Sequence, residues 1–162
     1  MTATVTDLEY FTSALPDDYA AFDIVNVAPR LWPHVFVMHV RDDQRFQIAL
    51  TGSHIDRNVR RNCAGLFLDQ IVHGPKSDDV LQFFEKVAAE KRPMKVRHIL
   101  ALPDRPHLTV TATAKPYYKG QGKAAHLIGA MLFSASRATD IHHISFEIQE
   151  LHHAFSESRS AS

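Results

Sequence analysis

The sequence predicts a single α+β domain, built on a five-stranded antiparallel sheet with helices on one face and flanked by N- and C-terminal helices. Its length of 162 residues suits one domain. Hydrophobic residues make up 45% of the chain and charged residues 22%, which is typical of a globular protein with a buried core. The chain contains both strand-like and helical stretches, and turn-forming connectors join several of the strand-like ones.

The predicted strands are recognised by apolar runs and by alternation of apolar and polar residues. In the second strand, Phe46, Ile48 and Leu50 alternate with polar side chains. A longer helix is predicted over residues 75–92, with Ser77 as its N-cap. The strands are expected near residues 34–40, 45–51, 94–102, 107–115 and 124–134. The last strand is apolar on both faces, which is typical of a central strand covered on both sides.

The two ends of the chain are predicted to flank a central domain of residues 17–135. Residues 1–16 are predicted to be a flexible leader, and the domain is predicted to open with a helix over residues 17–27. Residues 136–162 are predicted to form an amphipathic C-terminal helix followed by a polar tail.

Apolar residues of the two flanking helices are predicted to form a dimer or partner surface, because large apolar faces rarely remain exposed. The residues of this surface are Tyr19, Phe22, Val25, Ile141, Ile144, Ile148, Leu151 and Phe155. The last five recur at intervals of three and four, which is the spacing of a coiled-coil seam. The spacing leaves two alternatives open, a helix that dimerises and a helix that folds back over its own sheet.

The charge balance and the apolar runs exclude several classes of partner. The 18 basic and 18 acidic residues cancel, which argues against nucleic acid or an anionic membrane surface as partner. The single cysteine, Cys63, cannot form a disulfide within the chain. No apolar run approaches the ~18 residues of a membrane span, and residues 1–13 lack the pattern of a signal peptide. A cytoplasmic protein without membrane insertion is therefore expected.

Two stretches of the sequence resemble PAS domains. Arg45–Val72, RFQIALTGSHIDRNVRRNCAGLFLDQIV, passes from a strand through a glycine, a short helix and a second glycine to a leucine-rich turn, as PAS domains do. FDIVNVAPRLWPHVFVMHV, from Phe22 to Val40, is similar to the entry of a bacterial group of stand-alone single-domain PAS proteins. The predicted order of elements also resembles that of PAS domains, and the resemblance covers about residues 22–135.

The resemblance implies a sensory or protein-binding module and not an enzyme. PAS domains bind small molecules, haem or flavin between sheet and helices, or act as docking surfaces without a ligand. Because the sequence contains no output domain, the expected function is signal transduction in trans, through a partner such as a kinase or regulator. Gating by a small ligand in the cleft between sheet and helices is an open alternative, and a homodimer is expected.

The expected cleft residues are chosen by strand parity and helical spacing. They are Ile48, Leu50, Phe67, Phe84, Val96, His98, Leu100, Val110 and Ile128. His98 lies on the apolar side of its strand, where a polar group needs a hydrogen bond or a ligand. A core histidine whose hydrogen bonds are satisfied within the protein is the alternative.

No haem, flavin or metal is expected, and the identity of a small ligand is left open. Asn62-Cys63 resembles the flavin-reactive pair of light-sensing PAS domains, but Ala64 and Gly65 follow where that motif has an arginine and then a glutamine. The longer predicted helix carries no histidine that could bind haem iron. His142 and His153 would be roughly 16 Å apart along one helix, which is too far to share one metal ion.

A small enzyme of the cone-shaped isomerase or dehydratase type is the alternative function. That fold also curves a sheet over helices around a hydrophobic cavity. Such an enzyme needs a buried acid–base group, for example an Asp–His pair, within the cavity. The inward strand faces offer His98 but no carboxylate, so no catalytic residue is predicted and the regulatory module is favoured.

Overall fold

A computed structural model describes residues 2–72, 77–100, 108–120, 122, 124–135 and 147–150. Its strands are β1 Val35–Val40, β2 Phe46–Thr51, β3 Met94–Leu100, β4 Leu108–Tyr117, β5 His126–Ala135 and β6 Glu147–Glu150. They form one antiparallel sheet in the order β2-β1-β5-β4-β3-β6. The predicted α+β fold with five antiparallel strands is confirmed, and β6 is an additional strand at the β3 edge.

The helices lie on both faces of this sheet. They are α1 Val5–Ser13, α2 Ser53–Val59, α3 Leu68–Ile71 and α4 Ser77–Glu90, with three short 3-10 helices at Tyr19–Ala21, Ile24–Asn26 and Pro29–His34. Side chains of α2, α3 and α4 share one apolar cluster with the sheet, and α1 and the 3-10 segment share a second cluster with its other face. None of the helices in the described part of the chain is long and apolar enough to cross a bilayer.

Strand β5 contributes to both clusters, because successive side chains of a strand point to opposite faces. Leu127 and Phe133 belong to the cluster under α2–α4, whereas Ile128 and Ala130 belong to the cluster under α1. Burial on both faces explains why the strand is apolar throughout. The domain therefore has two cores, one on each side of the sheet.

The N-terminal helix lies in the stretch predicted to be a flexible leader. Thr4 Oγ1 accepts a hydrogen bond from the Asp7 amide at 3.2 Å, and the Asp7 carboxylate accepts one from the Thr4 amide at 2.9 Å. This reciprocal capping box starts α1. Leu8 and Phe11 are then buried against the sheet.

The continuous helix predicted over residues 17–27 is wrong. Asp18 Oδ1 accepts a hydrogen bond from the Ala20 amide at 3.1 Å, and Asp23 Oδ1 accepts one from the Val25 amide at 3.0 Å. Such local side-chain bonds compete with helix propagation. They divide the segment into two separate 3-10 turns.

The predicted C-terminal helix is also wrong where the structure describes it. Glu147–Glu150 is extended and pairs antiparallel with Met94–Arg97 of β3, so that Ile148 lies opposite Val96. An edge strand offers a row of unpaired main-chain donors and acceptors, and pairing satisfies those of β3. Ile141, Ile144, Leu151 and Phe155 of the predicted seam lie outside the described residues.

A β-bulge in β2 changes which side chains face the helices. Val37 lies opposite Leu50 and the next residue, Met38, lies opposite Ile48, so Ala49 is the extra residue. One extra residue turns the following side chains to the other face. Leu50 consequently packs in the cluster under α1, and Ile48 in the cluster under α2–α4.

Candidate functional site

A cavity of about 320 Å³ lies between the sheet and helices α2–α4. The sheet contributes Phe36, Met38, Ile48, Thr51, Val96, His98, Val110, Ala112, Met131 and Phe133 to its wall. The helices and their connections contribute Ile55, Val59, Cys63, Leu68, Ile71, Val72, Val80, Phe83 and Phe84. Val59, Ile71 and Val72 are half-buried, so this part of the wall reaches the protein surface.

The structure places part of the predicted cleft set in this wall, namely Ile48, Phe84, Val96, His98 and Val110. Ile128 lies on the opposite face of the sheet, because the parity assigned to β5 was wrong by one residue. Leu50 was placed in the cleft by simple alternation, which the bulge at Ala49 interrupts. The side chain of Leu100 lies outside the described part of the structure.

Phe67 was also predicted in the cleft but lies beside it. It precedes α3 and forms an isolated bridge with Gln47. The guanidinium of Arg45 lies 3.9 Å from the centre of the Phe67 ring and pairs with the Asp69 carboxylate at 2.8 Å. This side chain therefore contributes to a contact between β2 and α3 and not to the cavity wall.

Sequence reasoning missed several wall residues. Thr51 was assigned to the polar side of β2, and the bulge returns it to the cavity face. Phe83 was available from the sequence, since Val80, Phe83 and Val87 follow the spacing of three and four that defines a buried helix face. Ile55 on α2 is likewise buried and lines the cavity.

Two polar wall side chains are hydrogen-bonded within the protein. The Thr51 hydroxyl donates to Asp56 Oδ1 at 2.7 Å, and the Cys63 thiol donates to the Arg61 carbonyl at 3.6 Å. The main-chain amide of Cys63 also donates to Asp56 Oδ1, at 3.3 Å. Burial is the main reason why the pKa of the Cys63 thiol rises to about 12, and its hydrogen bond to Asp56 adds to the effect. A protonated, buried thiol is a poor nucleophile, so Cys63 acts as a packing group.

His98 is buried in the β3 wall, with 7% of its surface exposed, and lies opposite Val110 of β4. Among the described wall residues there is no aspartate, glutamate, lysine or arginine. The cavity is therefore apolar apart from the imidazole, one hydroxyl and one thiol. This composition suits binding of a small molecule and provides no carboxylate to assist proton transfer by His98.

Two further histidines hold the cavity wall where β5 extends past β1. The β1–β5 ladder ends at Val35 opposite Ala130. Beyond it, His34 Nδ1 donates to the Met131 carbonyl at 3.0 Å, and His54 Nε2 accepts from the Phe133 amide at 3.1 Å.

The two rings lie close together, with centroids 4.3 Å apart. Burial, together with the nearby His34 and Arg57, lowers the pKa of His54 to about 4. His54 is therefore neutral at neutral pH and is able to accept the Phe133 hydrogen bond.

The predicted N-terminal partner residues have different environments. Tyr19 stacks on His126 with a ring separation of 3.8 Å, and Phe22 packs against the cluster under α1. Val25 is 70% exposed. Val25 is therefore the member of this set that is accessible to a partner.

No metal centre is found in the described residues, where histidine, cysteine, aspartate and glutamate nowhere form a group of three that could hold an ion. The paired histidines near the C-terminus, His142–His143 and His152–His153, lie outside those residues.

Comparison with known proteins adds one structural likeness. No family model matches the chain, and no curated protein matches it. Among solved structures, the chain is similar to the PAS domain of BvgS from Bordetella pertussis, with 16% sequence identity and a TM-score of 0.48. The match covers 80% of this chain and 90% of that chain. The described elements themselves follow the PAS-like order that the sequence predicts, with two strands, short helices, a longer helix and three strands.

Proposed function

We propose that the protein is a cytoplasmic regulatory module of the PAS type, which acts in trans on a signalling protein such as a kinase or regulator. Occupancy of the cavity between the sheet and α2–α4 gates this interaction. The observation that carries the proposal is the cavity itself, which is apolar and has walls shared by the sheet and three helices. A ligand there contacts both layers and can change how they pack.

The composition of the wall favours this function over the isomerase or dehydratase alternative. Such an enzyme would need an acid–base pair in the cavity. Among the described wall residues, His98 supplies an imidazole, and no carboxylate accompanies it. The Asp56 carboxylate contacts the wall residues Thr51 and Cys63, from which it accepts hydrogen bonds, but it does not itself line the cavity.

The test of the proposal compares the partners captured by the unaltered full chain with those captured by a variant whose cavity is filled. Ala112→Phe places a ring in the cavity from the centre of β4, and Ala135→Phe places the same ring at an exposed position of β5. Immobilised chains are incubated with extract of cells that naturally encode the protein, and bound proteins are quantified by mass spectrometry. We expect a signalling protein whose retention changes at least about threefold in Ala112→Phe and stays unchanged in Ala135→Phe. Equal retention of every protein by all three chains would reject gating by the cavity.

A further inference from the structure

The chemistry of the cavity wall restricts the charge of its ligand. The described wall residues carry no ionised side chain. Transfer of an unpaired charge from water into apolar surroundings is strongly unfavourable, and a charged ligand would find no ionised counter-ion among the described wall residues. Asp56 and Asp69, which each follow a wall residue in the chain, do not change this, because Asp56 is bonded to Thr51 and Cys63, and Asp69 pairs with Arg45 outside the cavity.

The volume of the cavity restricts the size of its ligand. A buried apolar cavity of ~150 Å³ accommodates benzene, so the 320 Å³ found here has room for roughly a dozen non-hydrogen atoms. A molecule of that size is much smaller than haem or a flavin nucleotide. The aromatic rings of Phe36, Phe83 and Phe84, together with aliphatic side chains, supply most of the contact surface.

Three of the described wall side chains are polar, and they lie on different parts of the wall, with Thr51 on β2, Cys63 after α2 and His98 on β3. The Thr51 hydroxyl and the Cys63 thiol both donate to protein oxygens, those of Asp56 and of the Arg61 carbonyl. His98 brings an imidazole into the β3 wall, and an imidazole can donate as well as accept hydrogen bonds. The polar group of a bound molecule is therefore best placed beside His98.

We propose that the cavity takes an uncharged, mainly apolar molecule of about a dozen non-hydrogen atoms whose single polar group lies against His98. This inference rests on the proposed gating function and specifies the ligand class of the same site. It separates this domain from receptors for carboxylates, because no ionised side chain lies among the described wall residues to pair with a carboxylate.

Octanamide and octanoate form a matched pair of probes, since they share chain length and number of non-hydrogen atoms and differ in charge at pH 8. Titration calorimetry with the purified full chain measures both dissociation constants. We expect octanamide to bind at least about tenfold more tightly than octanoate. Equal or tighter binding of octanoate overturns the proposal, and so does absence of binding by both probes.

Three variants locate the bound probe. Ala112→Phe is expected to abolish octanamide binding, and Ala135→Phe is expected to leave it unchanged. His98→Leu is expected to weaken octanamide binding at least about fivefold. Unchanged affinity in Ala112→Phe places the probe outside the cavity and overturns the assignment, and unchanged affinity in His98→Leu shows that the polar group of the probe does not lie against His98. Circular dichroism confirms folding of each variant, and the comparison of probes on the unaltered chain stands if a variant does not fold.

This experiment and the partner-capture experiment fail independently. Binding of octanamide without any change in partner retention leaves the ligand class intact and rejects gating. If Ala112→Phe changes the retention of a partner but the unaltered chain prefers octanoate, gating is supported and an uncharged ligand is rejected.

Discussion

At the scale of single residues, His34 and His54 continue the hydrogen bonding of the sheet where β1 has not yet begun. Their ring nitrogens satisfy the carbonyl of Met131 and the amide of Phe133. Both of those residues line the cavity. The histidine pair thus supports the part of β5 that extends beyond its pairing with β1. His54 must be neutral to accept the hydrogen bond from the Phe133 amide.

The first prediction is a loss of stability on mild acidification that depends on His54. The pKa of this histidine is about 4 in the folded chain, below the ~6.5 of an unfolded chain, so the unfolded state binds the proton more tightly. The stabilisation is therefore present above pH ~6.5 and is lost as the pH falls towards 4. Because the ring is partly exposed, we expect a loss of only about 1 kcal/mol from this residue between pH 7.5 and pH 5.5.

Urea denaturation at the two pH values measures this loss, with His54→Gln as the control. The glutamine side-chain oxygen can accept the Phe133 amide without titrating. The variant should lose about 1 kcal/mol less stability than the unaltered protein over the same interval. Identical losses for the two proteins would show that His54 does not carry the effect.

Residue positions in the cavity were predictable from the sequence only where strands are regular. Parity placed Val96, His98 and Val110 correctly in the wall, because β3 and β4 pair without interruption. Parity failed at Leu50, because the bulge at Ala49 adds one residue to β2 and no glycine in the strand marks it. It failed at Ile128, because a strand apolar on both faces contains no contrast from which parity can be read.

At the scale of elements, α1 is attached to the sheet by polar contacts as well as apolar ones. Lys115 on β4 is buried, with 8% of its surface exposed, and its ammonium group lies 3.2 Å from each of the Leu15 and Pro16 carbonyls. The Tyr117 hydroxyl also donates to the Pro16 carbonyl, at 2.7 Å. These bonds hold the segment just after α1, at Leu15 and Pro16, against β4.

The second prediction is that Lys115→Met loosens α1. The methionine keeps most of the apolar length of lysine but leaves two carbonyls without this donor, so we expect a cost of about 1–3 kcal/mol. Relative to the unaltered chain, the rate of hydrogen–deuterium exchange should increase more in Val5–Ser13 than in α4. Lys86→Met on the solvent side of α4 is the control, because that side chain is 45% exposed. Equal exchange in α1 for both variants would contradict this role of Lys115.

The sequence contains a local signal for α1, whereas β6 has none. Thr4 and Asp7 have the spacing of a capping box, followed by Leu8 and Phe11 on one side. The extended state of Glu147–Glu150 depends on the free edge of β3, which lies about fifty residues earlier in the chain. Helical periodicity in the C-terminal segment is a local signal and cannot report such a distant contact.

At the scale of the whole molecule, the homodimer expected from the sequence remains a prediction. The sheet face opposite α2–α4 is covered within the chain by α1 and the 3-10 segment. Large apolar side chains nevertheless remain exposed in that covering layer, with Tyr10 58%, Val25 70% and Trp32 41% exposed. An interface between two copies would therefore use the covering layer and not the sheet itself.

The third prediction is that light scattering of the full chain at micromolar concentration gives the mass of a dimer. Val25→Glu, which places a charge in the proposed interface, should raise the dissociation constant of the dimer at least about tenfold, since a buried unpaired carboxylate is unfavourable. Ala135→Glu, at another exposed position, is the matched control. A monomeric mass for the unaltered chain would remove the homodimer from this account.

The overall architecture was predictable because its signals are local and repeated. Each of the five strands carries a local signal, either alternation or a continuous apolar run, and the longer helix carries its own periodicity. Their order along the chain matches that of the observed elements. The enclosed volume was not predictable, because it depends on how α2, α3 and α4 approach the sheet. Individual side chains such as Thr51 and Phe83 enter the wall only through that packing.

The most direct test of the ligand-accepting cavity is methyl NMR of isoleucine-labelled protein during titration with octanamide. Ile48 and Ile55 line the cavity, and Ile128 is buried on the opposite face of the sheet beneath α1. We expect the methyl resonances of Ile48 and Ile55 to shift saturably while that of Ile128 stays in place. Shifts confined to Ile128, or no saturable shift at Ile48 and Ile55, would contradict the assignment of this cavity as the ligand site.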